Sequence, residues 1–139
     1  MISTRGRYAL RVLIDIAENS NGNYIPLKDI ANRQDISEKY LESILVLLTR
    51  GNLLYGLRGK GGGYKLTKSP EEYTLKSILT LTEGTLVPVA CLKDGAKPCL
   101  KASSCKTLPV WQGLNKVITD YLESVTLADI IEEPDNYSI

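Results

Sequence analysis

The stretch from Ser37 to Gly63, SEKYLESILVLLTRGNLLYGLRGKGGG, narrows the possible folds more than any other part of the chain. Leu41, Ile44, Leu45 and Leu48 recur at helical spacing, with Ser37 at the N-cap position and Gly51 at the stop. That pattern predicts one helix with a single apolar stripe. NLLYGL and YKLT follow as two short strands. Between them, RGKGGG (residues 58–63) places four glycines and two cations at a hairpin tip, which suits a flexible basic loop and not a core element. Upstream, residues 4–19 read as an amphipathic helix whose apolar face is Ala9, Val12, Leu13, Ile16 and Ala17, ended by NSNGN. A shorter helix, PLKDIANR (26–33), starts at Pro26 and puts Leu27, Ile30 and Ala31 on one side. Helix, short helix, tight link, helix and basic hairpin is the layout of a winged helix-turn-helix.

The second half has a different organisation. Residues 74–83 predict a helix stopped by Gly84, followed by the apolar TLVPVA and a loop containing every cysteine of the chain. Trp111, Leu114, Ile118, Tyr121 and Val125 are then spaced 3, 4, 3 and 4, a heptad-like seam suited to a partner helix, although packing on the chain's own domain would also use it. Thr126 is positioned to cap a last short turn, LADII, and EEPDNYSI is an acidic tail. The expected fold is mainly α with a small β-hairpin wing, plus a long C-terminal dimerisation helix. The expected divisions are a winged helix-turn-helix over 1–84, a cysteine loop over 85–108, the dimer helix and short terminal helix over 109–131, and a tail over 132–139.

The chain has no histidine, which excludes Ser-His-Asp and Cys-His catalysis. It contains no GxxxxGK[ST] loop and no GxGxxG after a strand, so an enzyme is not expected. No apolar run reaches the roughly 20 residues of a membrane span, and the N-terminus lacks a signal-peptide pattern, so a cytoplasmic protein is expected. The net charge of +1 hides an asymmetry: residues 1–68 hold eleven Lys/Arg and six Asp/Glu, and residues 69–139 hold six Lys and ten Asp/Glu. A basic first half is consistent with a polyanionic partner.

Double-stranded DNA suits this layout. Ser37, Glu38, Lys39 and Tyr40 begin the third helix, the end that reaches base edges in a major groove, and Glu42 can accept from a cytosine amino group. Arg58 and Lys60, on a loop with Gly61 and Gly62, suit a neighbouring minor groove. Arg5 and Arg7 with the first helix's N–H groups, and Lys28 at the start of the second helix, suit phosphates. Taken singly, each cation reads equally as a solvated side chain and the glycines as a tight turn; the order of elements carries the reading.

STRGRYALRVLIDIA, PLKDIANRQDISEKYLESIL and LRGKGGGYKL together resemble the Rrf2 family of bacterial winged-helix transcription factors, over nearly the whole chain. The resemblance implies a homodimer on a roughly palindromic operator, joined through the helix bearing Trp111, Leu114, Ile118, Tyr121 and Val125. It places Ser37, Lys39, Tyr40 and Glu42 on the recognition helix and Arg58 in the minor groove, with repression the expected sense.

The cysteines follow the pattern C-x7-C-x5-C: Cys91, Cys99 and Cys105. No C-x2-4-C pair of the usual zinc kind is present. Lys93, Lys97, Lys101 and Lys106 are interleaved and would favour thiolates. The resemblance implies that the three cysteines hold an iron–sulfur cluster, [2Fe–2S] in preference to [4Fe–4S], which an aerobic preparation can lose. The sequence departs from the family's ligand patterns. Where one member has a ligating histidine after the third cysteine, this chain has Leu108. Where another has an aspartate on the first helix, this chain has Tyr8, with Asp15 two turns on. The fourth ligand therefore stays open. Other readings are a thiol–disulfide switch, an adventitious zinc site, a regulator working through a partner protein, and a redox protein that never meets DNA. Cys91 follows an apolar segment, which favours its burial.

Overall fold

The structure, a computed structural model, describes residues 2–97 and 99–132. Its helices are α1 (Thr4–Asn19), α2 (Leu27–Gln34), α3 (Glu38–Arg50), α4 (Leu75–Glu83), α5 (Leu108–Ser124) and α6 (Leu127–Glu132). A hairpin of β1 (Leu54–Leu57) and β2 (Gly63–Leu66) lies between α3 and α4. Glu132 ends α6, and the rest of the expected acidic tail lies outside the described residues.

Local chemistry sets the helix ends. The Ser3, Ser37 and Thr74 hydroxyls each accept an N–H of the first turn of α1, α3 and α4. Before α6, Thr126 Oγ1 accepts from the Asp129 N–H (3.2 Å) while Asp129 Oδ2 accepts from the Thr126 N–H (2.9 Å), a reciprocal cap. The link between α2 and α3 turns at Asp35 in left-handed backbone (φ 53°), and the Ile36 N–H then donates to Ala31 O.

The core joins the apolar faces of α1, α2 and α3 with β1: Val12, Leu13, Ile16, Ile30, Leu41, Ile44, Leu45 and Leu48 are fully buried. Two polar groups are built into it. Tyr73 is buried, and its hydroxyl donates to Leu53 O (2.7 Å) and accepts from the Thr67 N–H (3.0 Å). Asp15, 4% exposed, accepts from Arg33 Nε (3.0 Å) and Nη2 (2.8 Å) and from Gln34 Nε2 (2.9 Å), fixing α2 on α1.

The hairpin is antiparallel, with Leu54 opposite Leu66 and Leu57 opposite Gly63. Tyr64 forms a bridge to Ile25, with N–H···O bonds in both directions at 2.9 Å. Gly63 permits this approach: its φ is 143°, and a Cβ there would strike the Ile25 carbonyl.

The C-terminal helices depart from the seam expected for them. Val125, the last seam residue, is buried in the chain's own core with Leu122, Leu75 and Leu79, and Ile118 packs against that cluster. The Leu75 N–H donates to Val125 O (2.9 Å), so the chain has left helical geometry at this point. Val125 is therefore unavailable to a partner. The exposed apolar stripe of α5 is Val110 (59%), Leu114 (42%), Val117 (66%) and Tyr121 (52%), spaced 4, 3 and 4. Trp111 is half-buried beside it. α6 returns to the first core, where Leu127 is fully buried and its N–H donates to Tyr73 O (2.9 Å).

Candidate nucleic-acid interface and cysteine loop

The outer face of α3 is set by the burial of its other face. Leu41, Ile44, Leu45 and Leu48 point inward, so Glu38, Lys39, Glu42 and Ser43 are exposed. Ser37 Oγ accepts the Tyr40 N–H (3.2 Å), which uses one of its lone pairs in the cap and leaves its proton available to donate. Tyr40 was expected on the outer face but turns partly inward. Its ring meets Tyr8 edge-on at 5.9 Å, and the Arg11 guanidinium lies 4.8 Å from the Tyr8 ring centre.

Val46 and Arg50 extend the exposed face by two turns. They reach a cleft against the hairpin whose other wall carries Leu57, Arg58 and Tyr64. Lys39, Glu42, Val46 and Arg50 therefore run toward the wing along one side of α3. Arg50 was not singled out in the sequence; its spacing of four from Val46 and eight from Glu42 was the available signal. Arg58, Lys60 and Gly61 at the wing tip are exposed, while Gly62 is half-buried and lies so close to Leu57 O that a Cβ there would clash with it.

Arg5 and Arg7 are exposed at the start of α1, and Arg7 donates to Thr4 Oγ1 (3.2 Å). Lys28 is exposed in the first turn of α2. Among the described residues, Arg5, Arg7, Lys28, Lys39, Arg50, Arg58 and Lys60 have no carboxylate partner within ion-pair distance. The carboxylate of Glu83 stands beside the first turn of α1, where a phosphate was expected, and is bonded to the N-cap residue Ser3. Glu83 Oε1, at the end of α4, accepts from Ser3 N (3.0 Å) and Ser3 Oγ (2.7 Å). These bonds hold the Glu83 carboxyl below its ordinary range, the Ser3 hydroxyl being the largest cause. Gly6 leaves room for it, since a Cβ at that position would overlap Oε1.

Glu83 is followed by Gly84 (φ 79°), where the segment leading to the cysteines begins. Cys91 lies in a 3-10 turn (Ala90–Leu92) and, against the expectation of burial, is exposed. TLVPVA packs only in part, and its chain emerges before reaching Cys91. Cys99 is exposed, and Cys105, which ends a second 3-10 turn (Ala102–Ser104) three residues before α5, is half-buried. The Cys105 thiol is pushed below its usual range, first by the Thr107 hydroxyl, 3.4 Å from Sγ, and then by the Thr107 and Leu108 N–H groups.

Among the described residues of 89–105, the hydrogen bonds close local turns, such as Lys93 N–H to Ala90 O and Ala102 N–H to Cys99 O. A cavity of about 450 Å3 lies between this loop and α4 and α5, lined by Thr80, Leu86, Leu92, Lys93, Asn115 and Ile118. Among the described residues, no three Cys, Asp or Glu side chains stand close enough to hold a metal ion. Three thiols are suitable donors for an iron–sulfur cluster, and gathering them breaks only local hydrogen bonds among the described residues of the loop. The two first-helix candidates for a fourth ligand are engaged elsewhere: Asp15 by Arg33 and Gln34, and Tyr8 by packing against Tyr40 and Arg11.

Residues 2–133 match the Rrf2 family profile, described as an iron-dependent transcriptional regulator. A Neisseria meningitidis serogroup A protein, provisionally named an HTH-type transcriptional regulator, is 38% identical over 136 residues, covering 97% of this chain and 90% of that protein. The HTH-type transcriptional regulator IscR of Serratia proteamaculans is 32% identical over 134 residues, covering 96% of this chain and 80% of that protein. Among solved structures, the global cysteine regulator CymR of B. subtilis superposes with a TM-score of 0.76 at 30% identity, covering 95% of this chain and 96% of that one. T. potens IscR gives 0.72 at 28% identity, covering 100% and 91%.

Proposed function

The chain belongs to the Rrf2 family of transcriptional regulators, and on that premise we propose that it is a homodimeric repressor whose grip on operator DNA is set by its cysteine loop. The observation carrying the DNA reading is the outward face of α3, capped at Ser37 and continued toward a wing whose cations lack carboxylate partners among the described residues. Lys39 donates to acceptors on a major-groove edge, Glu42 accepts from a cytosine amino group, the Ser37 hydroxyl donates, and the Ser43 hydroxyl, whose proton goes to Tyr40 O (2.6 Å), accepts. Glu38 is exposed beside them and keeps anionic backbone at a distance. Tyr40 sets the tilt of α3 through Tyr8 instead of reading a base. Arg58 enters the adjacent minor groove, Gly61 and Gly62 let the tip approach closely, and Lys60, Lys28, Arg5 and Arg7 take phosphates.

Two copies join through the exposed stripe of α5, Val110, Leu114, Val117 and Tyr121, with Trp111 at its edge. A two-fold pair of α3 helices then meets a two-fold operator.

Cys91, Cys99 and Cys105 are the thiolates that would hold an iron–sulfur cluster, [2Fe–2S] in preference to [4Fe–4S]; when bound, it supplies a centre sensitive to oxidants and to iron supply. The chain's own contribution is the path from the loop. Gathering the thiols pulls on the segment that begins at Gly84, directly after the Glu83 carboxylate that clasps the start of α1. The state of the loop thereby biases where α1, and α2 and α3 packed on it, sit in the dimer.

A second reading is favoured by the lowered pKa of the Cys105 thiol. In it, two of the thiols close to a disulfide, passing two electrons and two protons to an oxidant such as hydrogen peroxide. Anaerobic purification, with a visible spectrum and counts of iron and acid-labile sulfide per chain, separates the two. Matched iron and sulfide support the cluster. A colourless, iron-free protein that gains a disulfide with peroxide supports the thiol switch.

A further inference from the structure

We propose that the cleft between the C-terminal half of α3 and the hairpin seats the sugar–phosphate backbone of the strand dividing the two DNA grooves, with Arg50 as its phosphate ligand and Val46 against a deoxyribose. This rests on the DNA reading above and adds residues to it. If the start of α3 lies in a major groove and the wing tip in the neighbouring minor groove, one DNA strand must cross between them, because a backbone separates the two grooves. The structure leaves a space there of about 360 Å3, walled by Val46 and Arg50 of α3 and by Leu57, Arg58 and Tyr64 of the hairpin.

The chemistry of the walls matches that occupant. Val46 and Leu57 are 39% and 49% exposed, leaving apolar surface at the cleft that the chain itself does not cover. Arg50 and Arg58 flank it, and neither has an ion-pair partner among the described residues. A backbone offers alternating apolar sugars and anionic phosphates, which is the pattern presented here. Arg58 continues past the cleft into the minor groove, so Arg50 carries the phosphate contact. A phosphate contact carries no base information, so its effect is uniform over sequence and appears in the salt dependence.

The test uses the full-length dimer with two duplexes of about 30 base pairs, one enriched from a random pool by the wild-type protein and one of unselected sequence. Arg50→Ala is expected to weaken both by a similar factor, about tenfold, and to lower the slope of log affinity against log salt by about one. Arg50→Lys, which keeps the cation, restores the slope. Val46→Glu, which turns a carboxylate toward the backbone, weakens both duplexes further. Arg50 is exposed, so an unchanged thermal melt is expected for the variant; Arg50→Gln serves if the alanine variant misfolds. Unchanged affinity and slope with Arg50→Ala, while wild type binds, would overturn the cleft assignment and leave the DNA reading standing. A wild-type protein that enriches no sequence from the pool and does not bind the unselected duplex overturns both.

Discussion

Val117→Asp is the sharpest perturbation of the proposed dimer. Val117 is 66% exposed in the protomer, so a partner helix has about two-thirds of its surface left to cover. Full burial of a valine is worth about 1.5–3 kcal/mol, which scales to about 1–2 kcal/mol here. Two-fold symmetry counts each change twice, so the loss is about 2–4 kcal/mol per dimer. At about 1.4 kcal/mol per decade, the dissociation constant rises between about 30-fold and 700-fold. Two carboxylates set in an apolar seam add to this. The protomer should fold normally, because the side chain contributes little to its own core. Sedimentation across a concentration series measures the shift, and Gln112→Asp, exposed on the other side of the same helix, should leave it unchanged. A Val117→Asp protein that dimerises like wild type would refute the assignment of this stripe.

Asp15→Ala should cost about 2–3 kcal/mol in urea unfolding, below the usual figure for breaking a buried pair because Arg33, 39% exposed, can turn to water; a loss under about 0.5 kcal/mol would mean the Asp15 cluster is incidental. Arg58→Ala should weaken binding to the selected duplex by about 1–3 kcal/mol and relax base preference near the wing, whereas equal loss on every sequence would make Arg58 a plain phosphate contact. The Glu83 carboxyl is lowered in the folded protein, so its clasp on Ser3 is complete above the ordinary carboxylate pKa and is lost as pH falls through the depressed value. The Ser3 amide shift in an NMR titration should accordingly move with a midpoint below about 4.3; a midpoint at or above that would show that the contact does not form in solution.

Much of the fold was legible because its determinants are local. Ser37, Thr126 and Gly84 mark helix ends through cap and stop chemistry that needs only a few neighbouring residues. The Leu41/Ile44/Leu45/Leu48 stripe and the glycine loop each announce one element. The illegible parts depend on distant partners. Nothing near Asp15 predicts that Arg33 and Gln34 will cover it, and nothing near Tyr73 predicts that Leu53 will take its hydroxyl proton. α5 shows a further limit. Its apolar residues form two adjacent stripes, and 3-4 spacing alone does not tell which one packs at home. The choice was made by Leu75 and Leu79 of α4, which took Leu122 and Val125 and left Val110, Leu114, Val117 and Tyr121 outside. In the cysteine loop, residue types point to a proposed donor set but not to its arrangement, since turns closed by local bonds leave no periodic signal. Glu83 escaped notice because its partner, Ser3, is 80 residues away.

The reading rests on the state of the cysteine loop setting operator affinity. The direct measurement is an anaerobic titration of the selected duplex with protein as purified, with the same protein after iron is removed by chelation, and with Cys99→Ala. The account predicts that iron-loaded protein differs from the chelated form by at least about tenfold, within the usual range of coupling between sites, and that Cys99→Ala behaves like the chelated form. Equal affinity and equal base preference in all three would contradict it.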